Sequence, residues 1–413
     1  MAMLEIIAII LYKVLFLYCA FSVLYLFILS LSGRLFYRRG ENKPMGGQDG
    51  EGARLSMALL VPAYKEDGII LSTVDNLLNL DYPRGAYDIY VIADGFQPAT
   101  LTRLRGLPIH VVEVAFEKST KTRSLNEAFG RISRSYDIAL IIDADNMLAP
   151  DFLGKIEGAF KGGARAVQGR RVAKNLDTSF AILDACSEAI NNHIFRKGSN
   201  AIGLSSAVIG SGMAFEFGMV KDILSRIDAV GGFDKILQLE VVKRGISIRY
   251  LDDALVFDEK VSSSGAFQQQ RKRWVSSQFI YFKRFLIPAF GELIKGHVSY
   301  FNLAVLCNLV LPRAFLFILL PAFILLSFFV GTFWGIAALG LWVLYMLTMA
   351  LALPAGLVNR DFFRAVLKLP KAIGLMLGAL FQVRKANKTF IHTVHTKTEV
   401  SNYLFTENKN KNG

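Results

Sequence analysis

The stretch Ile138-Ala139-Leu140-Ile141-Ile142-Asp143-Ala144-Asp145-Asn146 runs without a polar residue for five positions and then turns abruptly acidic. A short apolar run of this kind suits a strand buried on both faces, as in a parallel sheet. Similar runs occur at Met57–Val61, Ile89–Ala93 and His110–Val114. Between and after them, apolar residues recur at helical spacing over Leu71–Leu80, Leu101–Arg105, Ser124–Ile132 and Phe152–Phe160. Strands alternating with helices predict an α/β domain built on a doubly wound sheet. Its limits are placed at residues 53–275.

In such a sheet, ligands bind outside the carboxyl ends of the strands. The first strand is followed by Pro62-Ala63-Tyr64-Lys65-Glu66-Asp67, the second by Asp94-Gly95, the fourth by Asp143-Ala144-Asp145. Carboxylates therefore gather at one crevice. No glycine-rich phosphate loop follows the first strand, which disfavours a dinucleotide or ATP site of the Rossmann or Walker kind. Carboxylates alone would repel a phosphorylated ligand. A divalent cation with oxygen ligands, Mg2+ or Mn2+, resolves the conflict, with Asp143 and Asp145 as its ligands.

The chain outside this domain has a different character. Of its 413 residues, 53% are hydrophobic, yet the formal net charge is +13. Val14–Leu31 is long and apolar enough to cross a bilayer, and Arg34, Arg38 and Arg39 follow it as a cytoplasmic stop. Leu303–Val358 carries Arg313 as its one formal charge and is long enough for two spans, about residues 308–330 and 333–356, turning at Gly331-Thr332. Pro312 and Pro321 are expected to kink the first of these. The basic residues Arg360, Arg364, Lys368 and Lys371 return the chain to the cytoplasmic side. Phe279–Ile294 and Phe362–Val383 mix aromatic and basic residues as helices lying in the headgroup plane do. The expected order is a membrane anchor (1–33), the cytoplasmic domain (53–275), an interfacial helix (276–300), two spans (301–358), and an interfacial helix with a polar tail (359–413). Membrane lipids are thus expected partners. The charge lacks a compact basic block with interleaved aromatics, so nucleic acid is not. Cys19, Cys186 and Cys307 have no metal-ligand spacing and suggest no disulfide framework.

Taken in order, these residues resemble the membrane-integrated family 2 glycosyltransferases, the group containing cellulose, chitin and hyaluronan synthases and ceramide glucosyltransferase. Val61 to Glu66 looks like the family's opening nucleotide-binding strand and turn, which places Pro62, Ala63, Tyr64 and Glu66 on the donor. Asp94 matches the aspartate that contacts the nucleoside. The segment Lys121 to Asn126 (KTRSLN) is similar to Lys-Ala-x-Ala-Leu-Asn, implying that Lys121 touches the diphosphate and that Asn126 lies on the donor side. Asp143 and Asp145 match the Asp-x-Asp metal motif. Gln270-Arg271-Lys272-Arg273-Trp274 matches Gln-x-x-Arg-Trp, the most specific of the five, and implies catalytic-site roles for Gln270, Arg273 and Trp274. The resemblance implies a GT-A-type, Rossmann-like nucleotide-binding domain with flanking transmembrane and interfacial helices. It further implies an inverting, metal-dependent hexosyltransferase that uses a nucleotide-sugar, UDP-linked, at the cytoplasmic face of the plasma or inner membrane. The expected acceptor is a growing polysaccharide, the alternative a lipid that becomes a glycolipid. A non-catalytic scaffold on the same fold is a third reading, disfavoured by the intact motif residues.

Direct displacement needs a carboxylate near the attacking hydroxyl. The family's Asp sits in a Glu-Asp pair about eleven residues before a helix-ending Gly. Asp234 stands in that relation to Gly245, with Phe233 in place of the Glu, and is the first choice of base. Glu240 is the alternative, and Asp252 and Asp253 rank third, with the end of a strand as their other reading. Gly210-Ser211-Gly212-Met213-Ala214-Phe215 looks like the acceptor-side loop, or equally a tight turn before a strand. His193 is expected to be structural. Thr389–Thr398 weakly resembles a gating segment of some synthases.

Overall fold

The computed structural model describes residues 2–37, 53–227, 232–380 and 396–401, apart from the side chains at 2, 266, 271, 273–275, 375–377, 379 and 380. The four expected strands are present as β1 (Met57–Tyr64), β2 (Tyr87–Asp94), β3 (His110–Val114) and β4 (Ile138–Ile141). They run parallel in the order β3-β2-β1-β4. Alternation along β4 explains its apolar run. Ile138, Leu140 and Ile142 face one core with Leu59 and Val61, while Ala139 and Ile141 face the other with Ala58 and Leu60.

Beyond β4 the sheet departs from the doubly wound expectation. It continues through β5 (Met147–Leu148), β6 (Ala166–Ala173), β7 (Met213–Glu216) and β8 (Arg249–Asp258), in the order β4-β7-β6-β8-β5. Strand β7 is antiparallel to both β4 and β6, so the sheet is mixed. Two further expectations are corrected. His110–Val114 is only partly buried, because it is the edge strand and only one face meets the core. Asp252 and Asp253 do not end a strand; they lie inside β8, opposite the irregularity between Gly169 and Arg170.

The first helix, Ala2–Leu35, packs against helices Arg313–Leu326 and Thr332–Ala352. Its aromatic residues fill the contact: the Tyr12 and Phe323 rings meet edge to face at 4.9 Å, and Phe16 and Trp334 at 5.4 Å. Met3–Leu35 and Thr332–Ala352 are each long and apolar enough to cross a membrane. The segment between, expected as a kinked span over 308–330, is broken at Pro312 but not at Pro321. Val298–Leu309 and Arg313–Phe329 meet at a 55° bend. Pro312 has no amide hydrogen and cannot continue the helix, whereas Pro321 sits inside Arg313–Leu326 without ending it. Backbone groups freed at the break find side-chain partners. Tyr18 donates to Leu309 O at 2.5 Å, Gln278 to Asn308 O at 2.8 Å, and the Leu311 amide donates to Ser22 Oγ at 3.2 Å. Such replacements are what irregular backbone among apolar helices requires.

Candidate active site

The carboxyl ends of β1, β2 and β4 form one rim. Tyr64 is directly opposite Asp94 in the register, and the Ile142 amide donates to Leu60 O at 3.0 Å, which carries Asp143 to the same level. Asp94 is only 3% exposed, and its Oδ2 is buried without a hydrogen-bond partner among the described residues. Burial pushes its carboxyl above the usual range, against a hydrogen bond from Ser119 and the charge of Lys65. An acceptor left open in this way suits a donor group on a bound ligand. Lys65 has φ 55°, rare for a residue with a side chain, and its amide donates to Asp94 O at 2.9 Å. Pro62 and Ala63 belong to β1. Glu66, largely buried, opens the next helix by accepting the Ile70 amide on its carbonyl.

Lys121 is delivered by helix Lys121–Arg131. Thr120 caps it, accepting the Arg123 amide, and Leu125, Ala128 and Phe129 bury its inner face. The Lys121 ammonium pairs with Asp143 Oδ1 and donates to Gly210 O at 2.6 Å. Its Nζ also lies 5.4 Å from the centre of the Phe233 ring. Asn126 is on the same helix, but its amide donates to Leu224 O at 2.9 Å and braces the neighbouring helix. The Asp143 amide donates to Ser211 Oγ at 2.9 Å, tying the acidic loop to the turn before β7. That turn needs its glycine. Gly212 has φ +61°, and a Cβ there would stand 2.4 Å from Val256 Cγ2. Gly212→Ala is expected to cost about 2–4 kcal/mol, from the left-handed conformation and overpacking together. Thermal unfolding of the purified protein checks this; an unchanged midpoint would contradict the packing account.

Sequence reasoning missed what lies beneath Asp145. Lys174, fully buried, donates from Nζ to Asp145 O at 3.0 Å. Burial pushes its amine below the usual range, while the charges of Asp145, Glu259 and Asp258 oppose this. Behind it, Arg171 meets Glu188 at 2.7 Å and Asp258 at 3.4 Å, and Lys260 meets Asp258 at 2.7 Å. Burial drives the Asp258 carboxyl up to about 6 even against Lys260 and Arg171. Glu188 is pulled well below its usual value; burial opposes this, but Arg171, Lys260 and Arg196 prevail. No local motif marks these residues, most of whose partners lie far apart in the chain.

Asp234 opens helix Phe233–Lys243, which ends before Gly245 as expected. Gly232 precedes it at φ +66°, where a Cβ would stand 2.6 Å from Tyr281 Cε2. Phe233, the next residue, is the one under Lys121, so the amino end of this helix is at the same acidic rim. Glu240 sits near the other end, within electrostatic reach of Tyr300. Asp252 is engaged by Lys197 at 3.0 Å and by Arg170 at 3.6 Å. Gln270 lies in the long helix Ser264–Ile294, and its Oε1 is buried without a partner among the described residues. The side chains of Arg273 and Trp274 lie outside the described set. So does most of Thr389–Thr398, of which 396–398 are described. His193 is structural, its Nε2 2.8 Å from Ser30 O on the first helix.

Asp143 and Asp145 offer hard oxygen donors suited to Mg2+ or Mn2+. No cluster of three metal-binding side chains occurs among the described residues. A cation here would complete its shell with ligand phosphates and water, as Mg2+ commonly does. The residues fit that use.

Comparison with known proteins places the chain in a family. The chain is 24% identical over 250 residues to a beta-monoglucosyldiacylglycerol synthase of Trichormus variabilis, covering 55% of this chain and 50% of that protein. It is 23% identical over 243 residues to an N-acetylglucosaminyltransferase of Rhizobium meliloti, covering 54% and 55%. The chain thus spans about half the length of the curated relatives it matches. Among solved structures, a mannosyltransferase from Pyrobaculum calidifontis in complex with GDP-Man and Mn2+ aligns over 90% of this chain and 100% of its own, at 17% identity and TM-score 0.49. The model of the family described as "Glycosyltransferase like family 2" matches residues 53–277, the segment that holds the whole acidic rim, and the chain belongs to that family of glycosyltransferases.

Proposed function

We propose that this glycosyltransferase moves a hexose, with inversion, from a UDP-linked donor to a lipid acceptor at the cytoplasmic face of the plasma or inner membrane. Asp94 takes the nucleoside, with Pro62, Ala63, Tyr64 and Glu66 around it. Lys121 meets the diphosphate, and Asp143 and Asp145 hold Mg2+ or Mn2+. The cation supplies charge for the departing nucleoside diphosphate. Lys121 adds fixed positive charge on the same side, and the family resemblance gives Arg273 of the pentapeptide a similar task. Asp234 accepts the proton of the attacking hydroxyl. Gln270 and Trp274 keep the catalytic roles that the family resemblance implies, and Asn126 acts indirectly, by holding the Lys121 helix in place.

The observation that carries the acceptor class is the packing of the apolar helices. Phe16, Cys19, Val23, Leu26, Phe323 and Leu341 are buried together, so the interior between the helices is filled with side chains. A polymer threaded through that bundle would have to displace them. A lipid needs no such path; it reaches a cytoplasmic site from the bilayer plane. The relative named as a glucosyldiacylglycerol synthase is consistent with this reading. One feature favours the polymer instead: the pentapeptide Gln270–Trp274, which resembles that of the polysaccharide synthases.

Product analysis distinguishes the two. Full-length protein in detergent with mixed lipids, Mn2+ and radiolabelled nucleotide-sugars is expected to give one labelled product that extracts into organic solvent. A ladder of water-soluble, glycosidase-sensitive chains would overturn the lipid assignment in favour of the polymer.

A further inference from the structure

The position of Lys121 says something about how the donor site is filled. Its ammonium pairs with Asp143 and at the same time donates to Gly210 O at 2.6 Å. Asp143 is its one carboxylate partner among the described residues. On its other side lies the Phe233 ring, where the family resemblance would put a second carboxylate. The lysine is constrained as well as attracted: the helix that carries it is capped by Thr120 and buried along its inner face. Its side chain is 22% exposed and that of Asp143 33%, so the pair is partly shielded from solvent. One of the two carboxylates for the cation is therefore already neutralised by a charge from the protein itself.

We infer that Lys121 makes the site selective for a cation arriving with a diphosphate over a bare cation. This rests on the proposed donor site. A cation alone must compete with the Lys121 ammonium for Asp143 and then sits beside it, like charge next to like charge. A diphosphate offers the ammonium a new partner, releases Asp143 to the cation, and screens the two positive charges from each other. Cation and diphosphate thus favour each other's binding, and by linkage the effect is equal in both directions. Departure of Lys121 also releases Gly210 O in the turn before β7. Donor arrival is in this way coupled to the turn at Gly210–Gly212.

The test measures Mn2+ binding directly, by the electron paramagnetic resonance signal of free Mn2+, on full-length protein in detergent. Titrations are run with and without UDP, and again with GDP. In the wild type, the nucleoside diphosphate is expected to tighten Mn2+ binding by at least about tenfold, within the usual range of coupling between sites. In Lys121→Met, Mn2+ alone is expected to bind more tightly than in the wild type, and the gain from the diphosphate to shrink to a few-fold. Lys121→Arg, which keeps the charge, is expected to retain the weak binding of bare Mn2+. Thermal unfolding of each variant without ligand confirms that it is folded; if the Met variant is unfolded, the Arg variant and Lys121→Gln carry the comparison. Equal Mn2+ affinity in the wild type and a folded charge-removing variant, with the diphosphate effect unchanged, would overturn the role of Lys121 and leave the donor site standing. Failure of the wild type to bind Mn2+ even with a nucleoside diphosphate would overturn the donor site itself.

Discussion

Asp145→Asn and Asp143→Asn are each expected to lower kcat/KM for the nucleotide-sugar by about a thousandfold or more. Breaking the anomeric bond leaves a nucleoside diphosphate, and the charge it gains has to be met where it appears. A cation there contributes several kcal/mol, and each ~1.4 kcal/mol is a factor of ten in rate. Asn keeps the shape of the side chain and one acceptor oxygen but removes the charge that holds the cation. The fold should survive. Asp143 and Asp145 are both partly exposed, and the bonds that fix their loop are made by its backbone: the Asp143 amide to Ser211 Oγ, Asp145 O to Lys174, and Ala144 O to Thr73 at 2.5 Å. The loss should therefore appear in turnover and not in the unfolding temperature. A chelator should reproduce it in the wild type, and added Mn2+ should reverse that effect but not rescue Asp145→Asn fully. Wild-type kinetics in either variant, measured across a Mn2+ titration, would remove these residues from the metal site.

The donor half of the domain was legible in the sequence because its chemistry is local. Strands β1, β2 and β4 are buried on both faces and followed at once by the acidic residues of the proposed site, so a run such as Ile138–Ile142 announces the strand and where its carboxylates will stand. The second half hides for physical reasons. Strand β6 contains Gln168, Arg170 and Arg171, which no apolar pattern would mark as a strand. Gln168 is nonetheless fully buried, because its amide binds Gly169 O and Ser211 O and its Oε1 takes the Ile209 amide. The same holds for Lys174 and the Arg171, Glu188, Asp258 and Lys260 group, whose charges are tolerable in the interior only through partners that the fold supplies. Around Pro312 the prolines announce a kink, but hydropathy gives neither which of them breaks the helix nor how far it bends. The bend is decided by a missing amide hydrogen and by Tyr18, Ser22 and Gln278, residues that come from other helices.

The choice of base is where the sequence left most open, and Asp234→Asn is the variant that decides it. Two observations separate Asp234 from Glu240. Asp234 is in the first turn of helix Phe233–Lys243, next in sequence to Phe233, whose ring lies 5.4 Å from the Lys121 ammonium, so it stands at the rim end of that helix. Glu240 is nearly two turns further along, near Tyr300 and away from the rim. The setting also suits a carboxylate. The amino end of a helix complements negative charge, and the Arg196 side chain is within electrostatic reach of Asp234. Its backbone is held by Gly232, where Tyr281 leaves no room for a side chain. Proton removal by a positioned group contributes about 100- to 10,000-fold, so Asp234→Asn is expected to lower kcat by that amount. Donor KM and nucleotide binding should change little, since neither depends on the acceptor hydroxyl. Glu240→Gln should leave both near wild type. The measurement is steady-state transfer with donor and acceptor varied separately, alongside nucleotide binding to each variant. Full turnover in Asp234→Asn together with a dead Glu240→Gln would move the base to Glu240, and with it the acceptor to the far end of that helix.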